Sequence, residues 1–354
     1  MKRITYILMT IAVVASCTKT EIRYDEPNRI SFTPVAKVST KAAVEGTYPT
    51  TLPLYVYANA GAANAEIDTY TTAYFNEFEF THNGSAFTNA DAYWPNEKHL
   101  VFAGVSASGN IGADSDKATL SMDFANNQLT VTSYTQPDND NNDLMWFPKT
   151  SQSYGKETDE VAVQMLHACA LLKFNFIAET GTAGWKIKSV VVNDLQKSGT
   201  AVCGATSATW TPSGNKSTFS VYTKADSDDA SKYTIKADDS NAETDDYITP
   251  ETVANNTIVI PQEPTTLSVT YEFTTSAGET LEEIVTVPLS LGKETVEGEE
   301  VEEVEKKWQS GHRYTYNITM GAEQIKIAPT ASSWGDYDAD TATEGTQNIE
   351  KTVN

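Results

Sequence analysis

Short runs in which apolar and polar side chains alternate one for one recur from Ile30 to Ala328, each closed by Asn, Gly, Pro or Asp. No other feature constrains this chain as much. Side chains on a strand point alternately to opposite faces, so such runs read as antiparallel strands with one face on a core and one toward water. Leu54-Tyr55-Val56-Tyr57, Tyr74 to Phe80 and His99-Leu100-Val101-Phe102 are dense in β-branched and aromatic residues and also read as short antiparallel strands, punctuated by His82-Asn83-Gly84 and Trp94-Pro95-Asn96. Phe75, Phe78 and Phe80 cannot share a face in perfect alternation, which predicts a bulge or a strand end there. Leu172, Phe174 and Phe176 alternate with Lys173 and Asn175 inside the most apolar internal stretch, a core strand. Trp185 to Val192 follows, then an expected turn through Asn193-Asp194 and Lys197 to Thr200. The theme returns in 218–222, 257–261, 267–275, 281–291, 314–320 and 324–328, and no long amphipathic helix is apparent. The acidic interruptions Asp226 to Asp246 and Glu294 to Glu305 read as solvated loops that discourage stray strand pairing.

The N-terminus has a different character. Lys2 and Arg3 precede the apolar run Ile4 to Ala15, and Val14-Ala15-Ser16 sets small residues directly before Cys17. The run is shorter than the roughly 20 residues a spanning helix needs and suits the core of an export signal. Together these predict a lipoprotein signal over 1–16, with Cys17 as the lipidated residue. Two or more acyl chains would anchor the protein stably. Polar residues 18–28 then form a tether, and Ile30-Ser31-Phe32-Thr33 opens a β-compatible run that continues through Val35 and Val38 to Lys41. Two readings of this run are open: a first strand removable by a trypsin-like protease cutting after Lys41 or after Arg29, or an ordinary edge strand.

The 354-residue chain is long for one core, so two domains are expected, 42–206 and 207–354. With 48 acidic against 25 basic residues its formal charge is −23, which disfavours nucleic acid and anionic membrane surfaces as partners. Once Cys17 carries lipid, only Cys169 and Cys203 remain. In an oxidising compartment they could pair, or they are two buried thiols. Neither lies in a zinc-binding pattern.

Chemistry is otherwise sparse. The chain holds four His and no HExxH, GxSxG, Walker or dinucleotide-binding loop. The cluster Asp138 to Asp143 is rich in calcium-type oxygens but lacks EF-hand spacing, and Asn and Asp gather in turns for their own reasons. His167 reads as a hydrogen-bonded histidine at the start of a strand, with no nucleophile at a recognisable spacing. Tyr93, Trp94, Trp146 and Trp210 could form an aromatic platform for a glycan or surface ligand, or be packing residues. No cofactor, metal site or catalytic residue is expected.

Motifs spread along the chain resemble the fimbrillin family, the type V pilins and related Mfa-like surface lipoproteins of Bacteroidales. They are the lipobox at Cys17, Ile30-Ser31-Phe32 leading to Thr40-Lys41-Ala42, Tyr93-Trp94-Pro95 and Asp143-Leu144-Met145. His167-Ala168-Cys169-Ala170-Leu171-Leu172-Lys173-Phe174, Ile260-Pro261-Gln262 and Trp308 to Tyr316 complete the set. The resemblance implies two tandem transthyretin-like β-sandwiches and a non-enzymatic fimbrial subunit at the outer membrane or cell surface. It also implies assembly by donor-strand exchange, in which the first strand (Ile30, Phe32, Val35, Val38) leaves after proteolysis and a strand from another fimbrial subunit takes its place. Lys41 stands where stalk subunits often present Arg. Near the C-terminus Ile349, Lys351 and Val353 would share a strand face, a poor donor. A tip or accessory subunit, with an adhesive role, is therefore expected over a stalk subunit. The alternative is a lipoprotein that stays anchored and binds a glycan or host ligand.

Overall fold

The computed structural model describes residues 29–35, 51–62, 70–96, 98–107, 111, 117–136, 143–152, 160–179, 181–236, 248–250, 257–289, 291, 307–322, 324–333 and 347–350. Cys17, Val38, Lys41 and residues 138–142 lie outside them. Among the described residues the chain is all-β, and the one helical piece is a 3-10 turn at Ala230–Lys232.

The first sheet has eight strands: β1 (Arg29–Val35), β2 (Leu54–Ala62), β3 (Thr72–His82), β4 (Phe87–Tyr93), β5 (Lys98–Ser106), β8 (Met145–Gln152), β9 (Val161–Gln164) and β10 (Leu166–His167). Their order is β10-β8-β5-β2-β3-β4-β1-β9. β3 pairs with β4 only at Thr81 and His82, so the sheet folds at this corner. The β4-β1-β9 wing thereby closes over the β2-β5-β8 wing around a core of Ile30, Phe32, Val56, Phe80, Phe87, Phe102, Phe147 and Val161. The predicted bulge is present in β3. Its register against β2 shifts on either side of Ala58, and Glu77 adopts φ 53°. The irregularity lets Phe75 and Phe80 both bury, while Phe78 stacks on Phe75 at 4.8 Å.

A second sheet runs β16-β15-β12-β7-β6, from β6 (Thr119–Asp123), β7 (Gln128–Thr135), β12 (Lys186–Cys203), β15 (Thr266–Thr274) and β16 (Thr280–Pro288), with β13 (Ala208–Thr223) paired to β12. The third runs β14-β11-β17-β18-β19, from β11 (Ala170–Ala178), β14 (Thr257–Val259), β17 (His312–Met320), β18 (Gln324–Ser333) and β19 (Gln347–Glu350). Strict alternation drives the packing: Tyr314, Tyr316, Ile318 and Met320 of β17 all face one core with Leu267, Val269 and Tyr271 of β15.

Two expectations need revision. Pairing is not wholly antiparallel, since β1–β9 and β11–β17 are parallel. The turn expected at Asn193–Thr200 is instead a set of register irregularities inside the 18-residue strand β12, with Asp194 at φ 54°. Bulges and turns share Asn, Asp and Gly because both need unusual backbone angles. The boundary expected between 206 and 207 falls at the tip of the β12–β13 hairpin, which pairs from Ser189–Thr223 to Cys203–Ala208. Strand partners change earlier: His167 still bonds to β8, whereas Ala170 already pairs with β14.

Candidate functional site

β1 lies inside its sheet, which removes the edge-strand reading. Phe32 pairs with Phe87 of β4 on one side and with Val161 of β9 on the other. An irregularity between Arg29 and Ser31 separates the strand's exposed start from its packed middle. Arg29 is exposed, its guanidinium 5.7 Å from the Tyr93 ring centroid. Alternation then turns Ile30 and Phe32 fully inward, while Val35 is 44% exposed and adds nothing to the core. The Phe32 ring meets Phe80 at 4.9 Å and Phe102 at 5.1 Å, both edge to face, and Phe147 at 5.8 Å. Such contacts are worth about 0.5–1.5 kcal/mol each beyond area burial. Burial of Ile30 and Phe32 contributes about 3–6 kcal/mol together. The Thr33 hydroxyl donates to Glu160 just before β9. Withdrawing β1 would leave an apolar slot with an unpaired backbone edge on each side, which an incoming strand could fill.

The family-like motifs converge at a second place, the passage from the first sheet to the other two. Asp143 is buried, and its carboxylate faces the His167 Nδ1 at 2.9 Å and accepts from the Cys169 N–H at 3.1 Å. The Gly311 N–H donates to the Cys169 carbonyl, and the Trp210 indole to the Ala168 carbonyl. Gln262 is held on both sides: its amide donates to the Gln196 and Ile260 carbonyls and accepts from the Gln196 N–H, while its backbone carbonyl accepts from Trp308. The Ser310 hydroxyl accepts from the Ala208 N–H. These residues satisfy backbone groups at strand ends, where the ladders cannot.

Cys169, His167 and Asp143 are residue types found in cysteine hydrolases, but their arrangement is unsuited to that chemistry. The Asp143–imidazole bond is one a catalytic triad would also have, but the Cys169 thiol donates to the Gln136 amide oxygen at 3.6 Å and burial pushes its pKa far up, so the nucleophilic thiolate is disfavoured. Cys203 is likewise buried, with its pKa raised for the same reason, and both cysteines are free thiols in one core. Among the described residues no group of three His, Cys, Asp or Glu could hold a metal.

The aromatic platform is not assembled. Trp146 and Trp210 are buried in one core and Trp94 in another, and the Trp146 indole donates to the Gly204 carbonyl. Sequence reasoning missed Asp143, Gln262 and Ser310 as joint residues. The available signal was their place inside the motifs that carry the family resemblance.

Comparison with known proteins agrees with the resemblance. Residues 40–334 match the fimbrillin-like family. Among solved structures, a Bacteroides uniformis protein provisionally assigned to cell adhesion is 16% identical, covering 87% of this chain and 99% of its own, with a TM-score of 0.46. A fimbrial assembly protein of Parabacteroides distasonis is 11% identical over 91% and 98%, TM-score 0.34. The tip fimbrial protein Mfa3 of Porphyromonas gingivalis, truncated at its C-terminus, is 13% identical over 80% and 94%, TM-score 0.33. No curated protein matches.

Proposed function

Since the chain belongs to the fimbrillin-like family, we propose that it is a non-enzymatic fimbrial subunit of the cell surface, lipidated at Cys17 during export and assembled by replacement of β1. The observation that carries this reading is the setting of β1: a short segment, joined to the rest through residues 36–50, fills an aromatic slot between two strands. The two candidate cleavage positions would have different consequences. A cut after Arg29 would free the protein from its anchor yet keep Ile30 and Phe32 in the chain. A cut after Lys41 would detach the whole strand and make the slot available. Lys41 is therefore the activating site in this proposal, with a trypsin-like protease as the agent.

A tip or accessory position is favoured over the stalk. β19 pairs along β18 of its own chain, with Ile349 opposite Ile325, so that residues 347–350 extend the chain's own sheet. We also place the division between the two proposed domains near Cys169, where strand partners change, instead of at 206/207. The rival reading, a lipoprotein that remains anchored and binds a surface ligand, predicts lasting acylation at Cys17. Intact mass and N-terminal sequencing of protein from surface fractions, with a denaturing gel of unheated sample, separate the two. An N-terminus at Ala42 and ladders that collapse on boiling support the subunit. An acylated, uncut monomer would overturn it.

A further inference from the structure

A cleft of about 540 Å³ opens between the eight-stranded sheet and the β6–β7 hairpin, within the size range of small-molecule sites. Tyr57 of β2, Tyr70 just before β3, Phe75 and Asn76 of β3, and Asp123 and Phe124 at the β6–β7 turn line it. Its floor is built to stay in place. Tyr57, Tyr70 and Phe75 are more than nine-tenths buried, and a Cβ on Gly61 would come within 2.1 Å of the Tyr70 ring, so glycine is what lets that ring sit against β2.

Polar groups at the same cleft are left available. Tyr57 is 6% exposed, yet its hydroxyl has no hydrogen-bond partner among the described residues; burial, with Glu77 nearby, raises its pKa and keeps it a donor. The Asn76 side chain is exposed and unbonded among the described residues. The Asp123 carboxylate is fixed by the Ala125 and Asn126 N–H groups at 3.0 and 3.1 Å and by the Asn126 amide at 2.7 Å.

We propose that this cleft binds a neutral saccharide. Phe124, partly exposed beside the buried floor, offers an apolar surface to sugar C–H groups, while the Tyr57 phenol, the Asn76 amide and the fixed Asp123 carboxylate match ring hydroxyls. A purely apolar ligand would leave the Tyr57 hydroxyl and the Asn76 amide without partners. Asp123 and Glu77, on a chain of formal charge −23, repel sialylated or sulfated glycans. The site does not depend on strand replacement: an uncut monomer would bind, and failure to bind would leave the assembly proposal standing.

Saturation-transfer NMR on the uncut chain with lactose, N-acetyllactosamine, chitotriose, mannotriose and 3′-sialyllactose tests it. Transfer to at least one neutral sugar is expected, with affinity lowered about tenfold by Asn76→Ala and by Tyr57→Phe, neither of which opens a core cavity. The proposal is overturned by no transfer to any neutral sugar, by binding that both variants leave unchanged, or by a preference for 3′-sialyllactose.

Discussion

Truncating Phe32 to Ala tests the energetic weight placed on β1. The ring is fully buried and is in contact with three other rings, two of them edge to face at 4.9 and 5.1 Å. The slot walls come from strands paired along most of their length, so they cannot collapse far, and Phe→Ala in such a core costs about 3–5 kcal/mol. The assay is urea unfolding of the uncut chain, read by tryptophan fluorescence and fitted transition by transition because a chain with several cores need not unfold in one step. The first midpoint should fall while the later one holds, whereas Ile284→Ala, at a side chain 69% exposed, should shift neither by more than about 0.5 kcal/mol. The same loss should bias strand replacement, since about 3 kcal/mol corresponds to roughly a hundredfold in an equilibrium constant. A cost below about 1 kcal/mol would refute the idea that Phe32 anchors the strand.

Other perturbations probe the joint and the surface. Asp143→Asn weakens the acceptor shared by His167 and the Cys169 N–H, and should cost about 1–3 kcal/mol in the same unfolding assay. Both free cysteines should resist alkylation in the native chain, because burial suppresses the thiolate, and both should react in denaturant; denatured chain that takes no label without reductant would mean they are paired. Glu272 is bonded by Lys186 and Lys188, which lower its pKa. The lowered folded value means this pair stabilises above the unfolded carboxylate pKa of about 4.3 and loses its effect as pH falls through the folded value. Lys186→Met should raise the Glu272 pKa in an NMR titration and change stability by less than about 1 kcal/mol, since the pair is exposed.

Local pattern carried much of the fold. The alternation at Ile30 and Phe32, the misfit among Phe75, Phe78 and Phe80, and the faces of β11, β15 and β17 could all be read because a strand's side-chain period is a local property. What depends on distant partners could not. The β12–β13 hairpin looked like a boundary because Gly204 and Ser207 have linker composition, while the pairing that unites its arms is set by residues up to 34 apart, Ser189 with Thr223. Tryptophans at 146 and 210 suggested a surface platform, since nothing local states that their indole N–H groups reach carbonyls at Gly204 and Ala168. That β1 is flanked by β9 is equally invisible, because the partner lies some 130 residues downstream and pairs in parallel.

The central claim is that β1 is a replaceable part of the first core. Native mass spectrometry of purified chain before and after limited trypsin, mixed with an isotope-labelled peptide spanning residues 18–41, tests it most directly. The account predicts that the chain cut after Lys41 exchanges its own fragment for the labelled one, one per subunit, while uncut chain takes up none. Resistance of the Lys41 bond to trypsin, or a cut chain that keeps its original strand indefinitely, would contradict it.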